Sequence, residues 1–157
     1  MTIEINQPVP DFTVPSTAGH FTLSEHRGQK VVVYFYPKDN TPGCTLETEN
    51  FRDQYADFRR AGCIVVGISR DSVRSHERFK AQLAAPFDLL SDESEAVCQL
   101  FDVIKIKNMY GKQVQGIERS TFLIDEEGVL RQQWRGVKVS SHVDAVLQVV
   151  RTLSQPA

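Results

Sequence analysis

The chain has 157 residues, enough for one domain with a complete hydrophobic core. Hydrophobic residues make up 41% and charged residues 24%, the composition of a soluble globular protein. A net charge of −2 gives no electrostatic reason to expect nucleic acid or an anionic membrane as partner.

The opening, MTIEINQPVPDFTVP, has neither a basic start nor an apolar run, so no secretory signal is expected. Residues 12–14 and 21–23 read as two short strands around turn residues 16–19, and residues 26–29 as a loop. Residues 31–36 (VVVYFY) are continuously apolar, β-branched and aromatic, which predicts a central strand covered on both faces. They are also the longest apolar run, far too short to cross a bilayer.

Residues 37–43 break that strand. A helix is expected from Thr45 to Arg60, with Phe51, Tyr55 and Phe58 on its buried stripe and Gly62 as its stop. Residues 63–69 (CIVVGIS) form a second buried strand. Ser72 caps a helix running to Leu83, residues 87–90 are a short strand, and Ser91 or Asp92 caps a helix reaching Phe101. Residues 102–116 are polar and read as an irregular excursion. Residues 119–125 and 129–134 form a hairpin, and a last helix starts at Ser141 with Asp144 at capping-box spacing. Early βαβαβ order followed by a hairpin describes a single α/β domain over residues 1–157, with parallel central strands and an antiparallel edge.

The chemically informative segment is YPKDNTPGCT, residues 36–45. It joins the carboxyl end of a buried strand to a helix start, where ligands bind in open α/β sheets. A thiol there, at Cys44, sees free backbone N–H groups and the positive end of the helix dipole, both of which favour the nucleophilic thiolate. The hydroxyl of Thr41 is placed to donate to the sulfur or to a bound oxygen. Gly43 lets backbone approach a small ligand, and Pro37 offers a donor-free apolar wall.

Three cysteines, Cys44, Cys63 and Cys98, are too few and too widely spaced for a disulfide scaffold. With no secretory signal, they suggest a reducing compartment, the cytoplasm. Cys63 opens a buried strand and Cys98 lies between Val97 and Leu100, so both read as structural thiols. None of His20, His26, His76 and His142 has metal-ligand spacing with a cysteine, so no metal is expected. His142 is expected at an exposed helix start and Tyr36 in the core; on sequence alone Arg119 reads as a surface strand residue in a salt bridge, and Glu47, on an exposed helix face, either as a solvated charge or as part of the site.

Pro37, Thr41 and Cys44 stand as P-x-x-x-T-x-x-C, and the string YFYPKDNTPGCTLE resembles peroxiredoxins of the bacterioferritin-comigratory-protein, or Q, class. The resemblance extends over PVPDFTVPSTAG, VVGIS, LLSDESEAV and ERSTFLIDEEGVL. It implies a thioredoxin-like fold, a central mixed β-sheet flanked by helices, with an N-terminal β-hairpin addition. It implies a thiol-specific peroxidase that reduces hydrogen peroxide and organic hydroperoxides through a cysteine sulfenic acid. By the same match Cys44 is the peroxidatic nucleophile, Thr41 orients the peroxide, Pro37 shields the sulfur, Arg119 favours the thiolate and Glu47 holds the active-site loop. No cofactor is implied. The implied partners are the hydroperoxide and thioredoxin or another thiol reductant, with a monomer favoured over a dimer.

A thioredoxin-type exchange enzyme would need C-x-x-C, which is absent. A cysteine phosphatase would need Arg six residues after the nucleophile, where Asn50, Ser69 and Ile104 stand. A redox sensor and a redox-inactive thioredoxin-fold binding module remain as alternatives. Many members of the Q class carry a resolving cysteine on the nucleophile's helix, at the position of Glu49, and others on the next helix; neither site holds one here, and Cys98 resembles a cysteine that some members carry without a resolving role. That leaves Cys98 as the only plausible internal resolver, and a Cys44–Cys98 bond demands Cα atoms within about 7 Å. The expectation is therefore a one-Cys cycle closed by an external thiol.

Overall fold

The computed structural model describes residues 3–154. A hairpin of β1 (Thr13–Ser16) and β2 (Gly19–Thr22) leads through a 3-10 turn, Leu23–His26, to β3 (Lys30–Phe35). Then come α1 (Pro42–Arg60), β4 (Cys63–Ser69), α2 (Val73–Leu83), β5 (Leu89–Ser91) and α3 (Ala96–Leu100). The chain continues through β6 (Ile104–Met109), β7 (Lys112–Ile117), β8 (Ser120–Ile124) and β9 (Leu130–Arg135) to α4 (His142–Ser154).

The main sheet has the order β2-β1-β5-β4-β3-β8-β9. Its centre is parallel, β3 with β4 and β4 with β5, because α1 and α2 carry the chain back across the sheet. The flanks are antiparallel: β8 pairs with β3, β9 with β8, and the N-terminal hairpin joins β5 through Ser16 and Leu90. The expected mixed α/β sheet with an N-terminal hairpin is what forms.

Period-two alternation along β3 divides the interior into two cores. Val31, Val33 and Phe35 enter one, with Phe101, Phe122 and Cys98. Val32, Tyr34 and Tyr36 enter the other, with Phe51, Phe58, Cys44 and Cys63. Every residue of β3 is buried. The second core packs Tyr34 flat against Phe51, ring centroids 4.6 Å apart, and the Tyr34 hydroxyl meets Thr48 Oγ1 at 2.9 Å.

Three expectations need correction. Residues 102–116 are not irregular: β6 and β7 form an antiparallel ribbon of their own. Its two-residue turn, Tyr110-Gly111, has positive φ at both positions (53° and 79°), the geometry of a tight hairpin. The signal was Ile104 and Ile106 alternating with Lys105 and Lys107. α1 begins at Pro42 rather than Thr45, with proline where a helix needs no N–H. α3 is only five residues, yet Asp92 still caps its start, accepting from the Val97 and Cys98 amides at 3.2 and 2.7 Å. Ser72 caps α2 as expected, accepting from Ser75 N at 3.1 Å. Among the described residues no helix is long and apolar enough to cross a membrane.

Gly67 in β4 is dictated by Tyr34. A Cβ there would stand 2.7 Å from the tyrosine Cζ and hydroxyl oxygen and 3.0 Å from Leu89. Gly67→Ala is therefore expected to cost about 1–3 kcal/mol through overpacking, read as a lower urea midpoint with an unchanged slope.

Candidate active site

β3 and β8 fix the two halves of the site. Phe35 pairs with Ser120 across these antiparallel strands, so the residues just beyond the pair, Tyr36 and Arg119, lie at the same sheet edge. The loop from Pro37 crosses that edge and turns into α1. Arg119 is anchored by its carbonyl, which accepts from Val137 N at 2.9 Å.

Cys44 is the third residue of α1. The helical ladder starts with Thr45 N donating to Thr41 O at 2.8 Å. The amides of Gly43 and Cys44 thus have no acceptor within the helix and give its start a positive field. The Arg119 guanidinium completes the arrangement. Nη2 donates to Cys44 Sγ at 3.5 Å and Nη1 to Glu47 Oε1 at 2.7 Å. Gly43 serves a closer neighbour than a ligand: a Cβ on it would lie 3.0 Å from Arg119 Nη2, so the bare backbone is what lets the guanidinium reach the sulfur.

Cys44 is fully buried. Several sequence readings change. Glu47 is not a solvated charge; it is buried beside Cys44 and Thr48 on the inner face of α1. Its second oxygen, Oε2, has no hydrogen-bond partner among the described residues. Thr41 flanks the helix start, but its hydroxyl donates to Lys38 O at 2.9 Å instead of turning to the sulfur. Pro37 is half-buried and borders a shallow depression with Lys38, Arg70, Asp71, Glu93 and Glu95.

His142 is not at an exposed helix start. Ser141 takes a left-handed conformation (φ 61°), Asp144 accepts from Gln54 at 2.7 Å, and His142 turns inward to Thr121 Oγ1 at 2.8 Å. Burial and the nearby Arg119 charge hold its imidazole down at about 4, so it is neutral at ordinary pH.

Sequence reasoning missed what holds the loop. Asp39 is buried and accepts from the Tyr36 hydroxyl at 2.6 Å and from Ser75 Oγ at 2.8 Å. His76, with no exposed surface, donates from Nε2 to Leu90 O, and its Nδ1 is hydrogen-bonded to Asp39 Oδ2, each at 2.8 Å. Asp71 receives Asp39 N at 2.8 Å and Ser69 Oγ at 2.6 Å. Asp39, Asp71 and His76 place one ligand atom each within 4.8 Å of one another, close enough for a cation. Both ring nitrogens of His76 and both oxygens of Asp39 are already committed, so the cluster reads as a loop anchor. The only sequence signal was His76 at the position of a buried stripe residue three before Phe79.

A model of the AhpC/TSA family matches residues 5–133. The chain is 52% identical over 147 residues to the peroxiredoxin Bcp of Xanthomonas campestris, covering 92% of each. It is 46% identical over 156 residues to the peroxiredoxin Bcp of Bacillus subtilis, covering 99% of each. Among solved structures, a peroxiredoxin Q mutant of Xylella fastidiosa superposes with a TM-score of 0.92 at 38% identity, over 99% of both chains. The bacterioferritin comigratory protein of Xanthomonas campestris, solved in a study of that protein's alkyl peroxide reduction, gives 0.90 at 47% identity, over 97% of this chain and 100% of that one.

Burial pushes the Glu47 carboxyl up from its ordinary 4.5 to about 7, against the pull of Arg119. A buried acid with a raised value stays protonated in the fold while the unfolded chain ionises. Its contribution is fully present below about pH 4.5 and is lost as pH rises to about 7. Glu47→Gln removes this term. The variant is expected to gain about 3 kcal/mol relative to the parent across that window, measured by urea unfolding at a series of pH values.

Proposed function

The chain belongs to the AhpC/TSA family, the peroxiredoxins, and we propose that Cys44 carries its peroxidase chemistry with Arg119 and the start of α1. Its fold is thioredoxin-like with an added N-terminal hairpin. It is a thiol-dependent peroxidase that reduces hydroperoxides. The observation that carries the assignment of Cys44 is the 3.5 Å approach of Arg119 Nη2 to its sulfur, at a helix start with free amides.

The thiolate attacks the near oxygen of ROOH in line. The S–O bond forms as the O–O bond breaks, and the alkoxide or hydroxide takes a proton and leaves. Arg119 and the Gly43 and Cys44 amides face the charge as it moves. Pro37 keeps water from the sulfur, and Thr41 orients the peroxide. The Thr41 hydroxyl has first to leave Lys38 O, and because Cys44 is fully buried the loop has to shift to admit substrate. Cys44 is left as a sulfenic acid.

That sulfenic acid is reduced by an external thiol. Cys98 belongs to the core on the opposite face of the sheet from Cys44. Cys63 shares the face but opens β4 opposite Lys30, at the far end of a seven-residue strand that spans about 20 Å. Both are chemically quiet: burial pushes the Cys63 thiol up to about 12, and burial with Asp92 pushes Cys98 well up. The reductant is thioredoxin or another small thiol carrier, and the protein works as a cytoplasmic monomer. Three unpaired cysteines are in keeping with that compartment.

Two outcomes are expected. Cys44→Ser abolishes peroxide turnover with the fold intact, whereas Cys63→Ser and Cys98→Ser keep it. After stoichiometric peroxide without reductant, intact mass shows one added oxygen on Cys44 and peptide mapping shows no Cys44–Cys98 link. Such a link, with thioredoxin-driven turnover lost in Cys98→Ser, would overturn the one-Cys cycle. Arg119→Met is expected to slow peroxide reduction by about 10²-fold or more and to move Cys44 alkylation to higher pH. An unchanged alkylation profile would show that Arg119 does not act on the sulfur.

A further inference from the structure

Cys44 and Glu47 stand one turn apart on the buried face of α1, and one guanidinium serves both. A single cation therefore faces two acids. An anchor for Arg119 would need only an acceptor oxygen, which an amide supplies equally well. The chain instead buries a carboxyl completely and leaves its Oε2 without a donor. An acceptor stranded in this way favours the form that carries its own proton.

We propose that Glu47 sets the pH at which Cys44 becomes nucleophilic, by gaining or losing a proton and so freeing or dividing the charge of Arg119. The inference rests on Cys44 being the nucleophile. With Glu47 protonated, the whole guanidinium charge faces the sulfur. With Glu47 ionised, that charge is shared, and a second anion one turn away is disfavoured. The low-energy form holds one proton between the two acids. When the S–H bond breaks, the proton is retained as the O–H of Glu47, with no change in net charge. The second proton leaves only at higher pH, so the two groups titrate as a pair. Glu47 thus acts through Arg119 as a positioning residue.

Two ionisable neighbours of the Arg119–Glu47 pair stay neutral through this range. Burial pushes the Tyr34 phenol on β3 well up, so it stays neutral. His142 on α4 is held at about 4 and is neutral as well. Asp39, in the loop before α1, is committed to Tyr36, Ser75 and His76. The value of about 7 for Glu47 places the exchange within the working range of an enzyme.

The test measures peroxide-driven sulfenic acid formation and iodoacetamide alkylation of Cys44 across about pH 5–9, in the full-length parent, Glu47→Gln and Glu47→Ala. The parent should rise in two steps. Glu47→Gln should rise in one, with the alkylation midpoint lower by about 1 unit or more and Arg119 still held by the amide oxygen. Glu47→Ala should share the lowered midpoint but react more slowly, and the glutamine variant should restore the rate. Infrared difference spectra of the parent supply a readout that needs no variant: a carboxylic-acid band should disappear as pH rises through about 7. A glutamine variant slowed equally at every pH with an unmoved midpoint, or a parent lacking that band, would overturn the inference and leave Glu47 as a holder of Arg119. Peroxide turnover surviving in Cys44→Ser would instead defeat the assignment of the nucleophile, a separate failure.

Discussion

One positive charge, largely buried at the edge of the central sheet, organises this molecule. Only 16% of the Arg119 side chain is exposed, and a guanidinium so placed must find anions and acceptors where it lies. It finds Glu47 and the sulfur of Cys44, both on α1. The helix must therefore begin close to the end of β8, and it can because Gly43 has no side chain to hold the arginine off. The register of β3 with β8 sets the height of Arg119 at the sheet edge, and Pro42 fixes where the first helical turn begins. Secondary structure, sheet pairing and one bare backbone position serve a single contact.

The cost of that contact is carried elsewhere. Glu47 is buried with an oxygen unpaired, and the loop leading to Cys44 folds inward around Asp39, another buried acid. That second acid is made tolerable by Tyr36, Ser75 and His76, which gather its oxygens and tie the loop to α2 and β5. Breaking such a buried set by removing one partner costs about 3–5 kcal/mol, which makes the loop stiff in its resting form.

The fold was legible in the sequence wherever burial decides the pattern. The run at 31–36, the strand at 63–69 and the stripe of α1 leave little choice, and all three appear. The β6–β7 ribbon escaped because both of its faces meet solvent for much of its length, so its alternation is weak and Lys105 and Lys107 mask it. Within the site, Cys44 and its helix start could be read from turn chemistry. Arg119 could be placed beside it only through the family resemblance, not from local chemistry: it lies 75 residues away and meets the sulfur only through the β3–β8 register. Glu47, His142 and Asp39 look like surface residues in any local window, because a polar side chain on a mostly polar segment says nothing of the charge it will be buried against.

The division of the interior into two cores gives the molecule its own reporters of motion. Cys98 sits in one core, Cys63 in the other at the start of β4, and Cys44 at the first turn of α1, all without exposed surface and all unpaired. A thiol reagent reaches each only when the layer above it opens, so the three labelling rates sample three different excursions from the native state. Ranked against one another, they separate a loop that breathes from a layer that lifts and from a domain that unfolds, with no foreign probe introduced.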